Sequence, residues 1–92
     1  MEIIFSVAGS TLITELFGEL DHHSTETARE KIDSAFENYR MANLIFDFRG
    51  VNFMDSSGIG MILGRYRKLK EQGAGIAICA CSKPVRNILN MA

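Results

Sequence analysis

Cysteine, proline and long apolar segments are scarce in this 92-residue sequence, and its charges nearly cancel. Two cysteines do not make the disulfide framework of a small secreted domain, and they suit a reducing compartment. No apolar run approaches the roughly 18–20 residues that cross a bilayer, and the N-terminus lacks the features of a signal peptide. A net charge of −1 gives no general argument for nucleic-acid binding. We therefore expect one small cytoplasmic domain with no membrane and no direct nucleic-acid partner.

The two cysteines, Cys79 and Cys81, raise the question of a metal site. A structural zinc ion takes four ligands, and the sequence has no second cysteine pair. His22 and His23 are distant in sequence and would join such a site only through the fold. The sequence therefore favours structural cysteines and predicts neither a metal ion nor another cofactor.

Short apolar segments of changing periodicity predict an α/β domain. The expected elements are strands at 3–8, 11–17, 44–48 and 76–80, helices at 24–40 and 57–72, a loop at 49–55, and a short third helix from Ser82. The order β-β-α-β-α-β-α predicts a mixed sheet flanked by helices, with later strands parallel through right-handed crossovers. The apolar runs at 44–48 and 76–80 are typical of buried strands, the first covered on both faces.

The spacing of apolar residues also predicts the buried face of each long helix. Expected to face inward are Ala28, Ile32, Ala35, Phe36 and Tyr39 in the first helix and Ile59, Ile62, Leu63, Tyr66 and Leu69 in the second. Asp21 or Ser24 can cap the first helix, and Gly73 is placed to end the second. Gly9-Ser10 is typical of a hairpin turn between the first two strands.

The near-zero net charge conceals an asymmetry. Residues 1–46 carry a net charge of −5 and residues 47–92 a net charge of +4. Four bases fall within six residues of the second helix: Arg65, Arg67, Lys68 and Lys70. Such a run usually forms a solvated helix face, and a patch that steers a partner is the alternative.

The most informative segment is FMDSSGIG, residues 53–60, which links an inner strand to a helix. Function in open α/β sheets gathers beyond the carboxyl ends of the strands, where a new helix exposes unpaired N–H groups. One of Asp55, Ser56 and Ser57 is enough to cap that helix, so three polar residues exceed what a cap needs.

Glycines follow these polar residues inside the helix, at positions 58, 60 and 64. Each costs about 0.5–1 kcal/mol relative to alanine. Close approach by another backbone, or by a partner protein, would explain them.

Catalytic interpretations of the loop fit poorly. The glycine spacing is not the dinucleotide fingerprint, and no Gly-Lys-Ser/Thr of a P-loop follows. The Gly-x-Ser-x-Gly motif of a serine hydrolase is absent, and the base would have to be His22 or His23. A phosphate on Ser56 fits better, because a helix N-terminus tolerates an anion. It adds about −1.5 to −2 charges at pH 7, which would penalise an interface made by the apolar rim of Phe53, Met54, Ile59 and Met61.

Extended to Tyr66, the segment reads FMDSSGIGMILGRY and resembles the signature of the STAS domain family of bacterial anti-sigma factor antagonists. The block GELDHH at residues 18–23 matches a second family motif, and the resemblance covers nearly the whole chain. Within the family the chain is most similar to sporulation antagonists. A general-stress antagonist, or a module that binds a nucleotide or another small ligand, is the alternative.

The resemblance implies a non-enzymatic, phosphorylation-dependent switch. The unphosphorylated antagonist would bind an anti-sigma factor that is also a serine kinase with bound nucleotide, and so release the sigma factor. The kinase would phosphorylate Ser56, the phosphorylated form would not bind, and a serine phosphatase would reset it. Ser57 would then cap the helix, and Asp21 would lie close to Ser56.

The resemblance also implies a binding surface and a shortened domain. The expected partner-binding residues are Asp21, His22, His23, Ser24, Met54, Asp55, Ser56, Ser57, Gly58, Ile59, Gly60 and Met61. Family members usually continue into a further strand and helix, whereas this sequence ends at Ala92. We therefore expect an exposed C-terminal edge and a monomer, or weak self-association through that edge.

Overall fold

The computed structural model describes residues 1–79, so Cys81 and the predicted third helix lie outside the described residues. The elements are β1 (Glu2–Ala8), β2 (Thr11–Leu20), α1 (Thr25–Asn38), β3 (Asn43–Met54), α2 (Ser56–Glu71) and β4 (Gly75–Cys79). This order confirms the predicted α/β class. Within residues 1–79, no helix has the length and apolar character needed to cross a membrane.

The four strands form one sheet in the order β1-β2-β3-β4. β1 pairs antiparallel with β2 through the turn at Gly9, whose φ is +61°, and the two remaining pairs are parallel. Because both crossovers move in the same direction along the sheet, the right-handed rule places α1 and α2 on one face. The core lies between this face of the sheet and the two helices. It combines Leu12, Leu16, Leu44 and Phe46 of the sheet with Ala28, Ile32 and Ile62 of the helices.

Strand β3 is much longer than predicted, and the expected loop at 49–55 is wrong as far as Met54. The second half of β3 pairs with the end of β2, through register shifts on either side of Phe17 and Gly18. A Cβ at Gly50 would lie 2.3 Å from Cδ1 of Phe17, so only glycine fits beneath that ring. This extension carries the chain to the end of the sheet, where α2 begins.

The face of the sheet away from the helices is less covered than the apolar runs predicted. Ile45 is only half-buried there, and β4 is mostly exposed in the described part of the chain. At 44–48 the prediction holds except for Ile45, since Leu44, Phe46, Asp47 and Phe48 are buried. The prediction of a buried strand at 76–80 is wrong as far as Cys79, and Ala80 lies outside the described residues. Asp47 is buried on this face, where Arg49 donates to both carboxylate oxygens.

The helix faces agree only in part with the predicted apolar stripes. Tyr39 is exposed at the end of α1, and Leu63 and Tyr66 are exposed on α2, contrary to prediction. Met61 is buried instead. The inward face of α2 is rotated because Gly58 packs directly against the end of β2.

Two of the four clustered bases, Arg65 and Lys68, form ion pairs with acidic side chains of α1. Nε of Arg65 lies 3.0 Å from Oδ1 of Asp33 on α1, and the two side chains are only 11% and 20% exposed. Nζ of Lys68 lies 3.8 Å from Asp33 and 3.5 Å from Glu37. Half of the charge run therefore forms ion pairs that join α1 to α2. Neither a solvated helix face nor a patch that steers a partner describes these residues.

Candidate functional site

Asp55 follows the last residue of β3 and forms the N-cap of α2. Its backbone is extended, and its Oδ1 accepts hydrogen bonds from the N–H groups of Ser57 (2.9 Å) and Gly58 (3.1 Å). The expectation that Ser57 caps this helix is therefore wrong. Aspartate suits the position because it satisfies unpaired N–H groups and complements the positive end of the helix.

Ser56 is the first residue of α2 and is exposed. Asp55 already occupies the N–H groups of Ser57 and Gly58. The hydroxyl of Ser56 therefore stands at the surface beside a carboxylate and is open to chemistry from solvent.

The turn between β2 and α1 is closed by its own side chains. Oδ1 of Asp21 accepts from the N–H groups of His23 (3.0 Å) and Ser24 (3.2 Å). Burial would raise the pKa of Asp21, but these hydrogen bonds hold it below its ordinary value. Ser24 occupies the N-cap position without a side-chain cap bond, since its hydroxyl donates to the carbonyl of Glu19 (2.9 Å).

This turn and the α2 loop meet at Asp55. The backbone N–H of His22 donates to Oδ2 of Asp55 at 3.3 Å, and Nδ1 of His22 lies 3.9 Å from the same oxygen. The Asp55 N–H in turn donates to the carbonyl of Leu20 (3.3 Å). The rings of His22 and His23 are exposed, and their centroids lie 3.9 Å apart. The fold thus brings together the two sequence blocks that were singled out separately.

The predicted apolar rim is only partly at the surface. Met54 and Met61 are 2% and 6% exposed, so these two side chains belong to the core and not to an exposed rim, contrary to prediction. Phe53 and Gly60 are exposed, and Ile59 is half-buried. The alternation of β3 turns Met54 inward as it turns Phe53 outward.

Gly58 is buried for a structural reason. A Cβ there would lie 2.6 Å from the carbonyl oxygen of Leu20 and 2.8 Å from Cγ of Met54. Close approach of another backbone therefore explains this glycine. It supports the loop from beneath and does not present a side chain to a partner.

No hydrogen bond within residues 1–79 joins a serine hydroxyl to either histidine ring, and no group of three metal-ligating side chains occurs there. An open pocket of about 520 Å³ lies beside the turn, and its lining includes His23, Lys31, Glu19 and Asp21. This mixed lining is unlike the concentration of N–H groups and cations that holds a phosphate.

Comparison with known families decides the identity of the fold. Residues 2–92 match the STAS domain. The chain belongs to the STAS domain family. This STAS domain is 39% identical over 80 residues to an anti-sigma F factor antagonist of Paenibacillus polymyxa, which covers 87% of the chain and 68% of the relative. It is 44% identical over 78 residues to an anti-sigma F factor antagonist of Lysinibacillus sphaericus. This alignment covers 85% of the chain and 66% of the relative.

Solved structures agree with this family. The STAS domain superposes with a TM-score of 0.80, at 34% identity, on the anti-sigma factor antagonist SpoIIAA in its unphosphorylated form, covering 99% of this chain and 84% of that one. The phosphorylated form of the Bacillus protein gives the same score and identity, with 98% and 82% covered. The chain spans about two thirds of the length of the two sequence relatives.

Proposed function

We propose that this STAS domain is an anti-sigma factor antagonist that is switched by phosphorylation of Ser56. The unphosphorylated chain binds an anti-sigma factor in the cytoplasm that is also a serine kinase with bound nucleotide, and the sigma factor is released. Phosphorylation ends this binding, and a serine phosphatase restores it. The identity to two anti-sigma F factor antagonists supports a role in sporulation over the general-stress alternative.

The observation that carries this proposal is the position of Ser56. Its hydroxyl is exposed at the first position of α2, directly after the Asp55 cap. The hydrogen bond from His22 to Asp55 supports the proposal, because it joins the Asp21–Ser24 turn to the residue that precedes Ser56. A kinase can therefore reach the hydroxyl without unfolding the loop, and a partner can contact both segments at once.

The same geometry explains how a phosphate would act on binding while the fold persists. The carboxylate of Asp55 already holds the N–H groups of Ser57 and Gly58, so these donors do not neutralise a neighbouring phosphate. The added charge of about −1.5 to −2 would stand beside the carboxylate of Asp55. A partner that fits the uncharged surface would then meet like charge and a desolvation cost.

The contact surface in this proposal has two parts. The residues that reach the surface belong to the turn and the start of α2: Asp21, His22, His23, Ser24, Asp55, Ser56, Ser57, Ile59 and Gly60. Met54, Gly58 and Met61 support this surface from within the core.

The test is to incubate the protein with ATP and the anti-sigma factor encoded in the same genome. Mass spectrometry should place a single phosphate on Ser56, and Ser57→Ala is the matched control that keeps its acceptor. Ser56→Ala should bind and resist phosphorylation, whereas Ser56→Asp should lose binding and keep the circular dichroism spectrum. Phosphate on another residue with Ser56 unmodified would refute the assignment.

A further inference from the structure

We propose that the outer edge of β1 pairs with β1 of a second copy of this chain, so that two sheets become one. β1 pairs with β2 on one side, and within residues 1–79 no strand lies on its other side. In an antiparallel pair, every second residue of a strand turns its N–H and C=O groups away from its partner. Such a row of unpaired groups is a template for another extended strand. This contact is separate from the Ser56 site and does not depend on the proposed function.

β1 has none of the features that commonly protect an edge strand from pairing. Natural edges are interrupted by a bulge, a proline or a charged side chain. The pairs from Glu2 to Ala8 follow β2 without a register shift, and residues 3–8 contain neither a charge nor a proline. Ile4 and Val7 are 46% and 48% exposed, although both are apolar. A regular, apolar edge of seven residues is therefore open to another strand.

The order of side chains along β1 makes this strand complementary to itself. Ile3 and Phe5 pack against the core on the helix side of the sheet. The alternation of a strand therefore turns Ile4 and Ser6 to the opposite side. Two antiparallel copies keep each face of the joined sheet continuous only if residues of the same face lie opposite each other. The register centred on Phe5 meets this condition and pairs all seven residues of the strand.

The side chains that meet in this register do not bring like charges together. On the helix side, Phe5 lies opposite its own copy and Ile3 lies opposite Val7. The single charge of the strand, Glu2, lies opposite Ala8 at the other end. Apolar pairs across a sheet are stabilising, whereas like charges directly opposite are not. This fit of the strand to itself makes a second copy, rather than a strand of another protein, the occupant of the edge.

The two-fold axis of this dimer leaves both Ser56 sites accessible. Pairing of the two β1 strands reverses the strand direction between the copies, so the carboxyl ends of β2 and β3 lie at opposite ends of the joined sheet. Each copy therefore presents its own Asp21–Ser24 turn and its own start of α2. A contact between two single strands is small, so we expect a weak dimer with a dissociation constant of about 10–100 µM.

Sedimentation equilibrium tests the dimer. The wild type should be mostly dimeric at about 1 mM and mostly monomeric at about 1 µM. The variant Ile4→Lys with Ser6→Lys places lysine opposite lysine at two positions of the register, and should stay monomeric at both concentrations. Ile4→Lys with Ser6→Glu is the matched control, because lysine then lies opposite glutamate and the dimer should form. Both positions are exposed in the single chain, so the circular dichroism spectrum should stay unchanged in each variant.

Three results would overturn the proposal. They are a wild type that is monomeric at about 1 mM, a double-lysine variant that dimerises as the wild type does, and a lysine–glutamate variant that remains monomeric. Hydrogen exchange locates the contact without any variant. The amides of residues 3–7 should exchange more slowly at the higher concentration, because half of them gain acceptors from the second copy. Slower exchange confined to β4 would place the contact at a different edge and would also contradict the proposal.

Discussion

The backbone N–H of His22 donates to Oδ2 of Asp55 across 3.3 Å, although the two residues are 33 positions apart. Oδ1 of the same carboxylate caps α2. One side chain therefore fixes both the turn after β2 and the start of the helix that carries Ser56. The turn after β2 and the start of α2 are thus linked by hydrogen bonds to one carboxylate.

Removal of this carboxylate should lower stability. Asp55→Ala deletes the cap and the acceptor for His22, and we expect a loss of about 1–2 kcal/mol in the free energy of unfolding. Urea denaturation measures it. Asp55→Asn is the matched control, because the amide oxygen of asparagine can still cap α2. Its NH2 group cannot accept from the N–H of His22, so we expect an intermediate loss of about 0.5–1 kcal/mol. A loss equal to that of Asp55→Ala would contradict a separate contribution from the cap of α2.

The glycines of α2 should respond to alanine in opposite directions. Gly58→Ala forces a methyl group against the carbonyl of Leu20, and we expect destabilisation by about 1–3 kcal/mol. Gly60→Ala meets open space and should stabilise the helix by about 0.5–1 kcal/mol. Thermal unfolding of the two variants side by side tests the contrast. Equal effects would mean that the contact at Gly58 relaxes.

Asp47 and Arg49 should influence unfolding by acid. Hydrogen bonds from the side chain and backbone of Arg49 hold the pKa of Asp47 below its ordinary value of 3.8. A carboxyl whose pKa is lowered by folding stabilises the protein above the unfolded pKa, and this contribution disappears as pH falls through the folded pKa. Arg49→Gln should therefore move the midpoint of acid unfolding to higher pH, as followed by circular dichroism.

The control for that titration is Arg67→Gln. Arg67 is exposed and forms no ion pair within residues 1–79, so its loss should leave the acid midpoint in place. An unchanged midpoint in Arg49→Gln would show that the exposed guanidinium is screened by solvent.

Asp33 should contribute more to the free energy of unfolding than its position on the surface of α1 suggests. Asp33→Asn leaves the mostly buried Arg65 without its counter-charge, and we expect a loss of about 1–3 kcal/mol in the free energy of unfolding. Glu37→Gln breaks only the exposed pair with Lys68 and should cost less than about 0.5 kcal/mol. Chemical denaturation of both compares them, and similar losses would contradict an anchoring role for Asp33.

The sequence was informative where local chemistry decides structure. The hairpin at Gly9, the end of α2 near Gly73 and the start of α2 after Asp55 follow from residue types that favour those conformations. The sequence was misleading where pairing between strands that are distant in the chain decides the structure. The extension of β3 depends on pairing with β2, and no local pattern reveals a parallel partner or a register shift.

The orientation of α2 was missed for a similar reason. Leu63 and Tyr66 fit an apolar stripe, but the contact between Gly58 and Leu20 turns a different face inward. The buried Met61 and the ion pair of Arg65 are consequences of that rotation. A glycine followed by a methionine and an arginine at helical intervals does not by itself indicate a buried face.

The parallel pairing of β2 and β3 has a consequence for the kinetics of recognition. Both segments of the proposed surface emerge from the ends of these neighbouring strands and are hydrogen-bonded to each other before any partner arrives. A partner that spans them does not have to order a loop during binding, so little conformational entropy is lost at that step. Association would then be governed by collision and orientation, and a chemical change at Ser56 would act chiefly on how long the complex lasts.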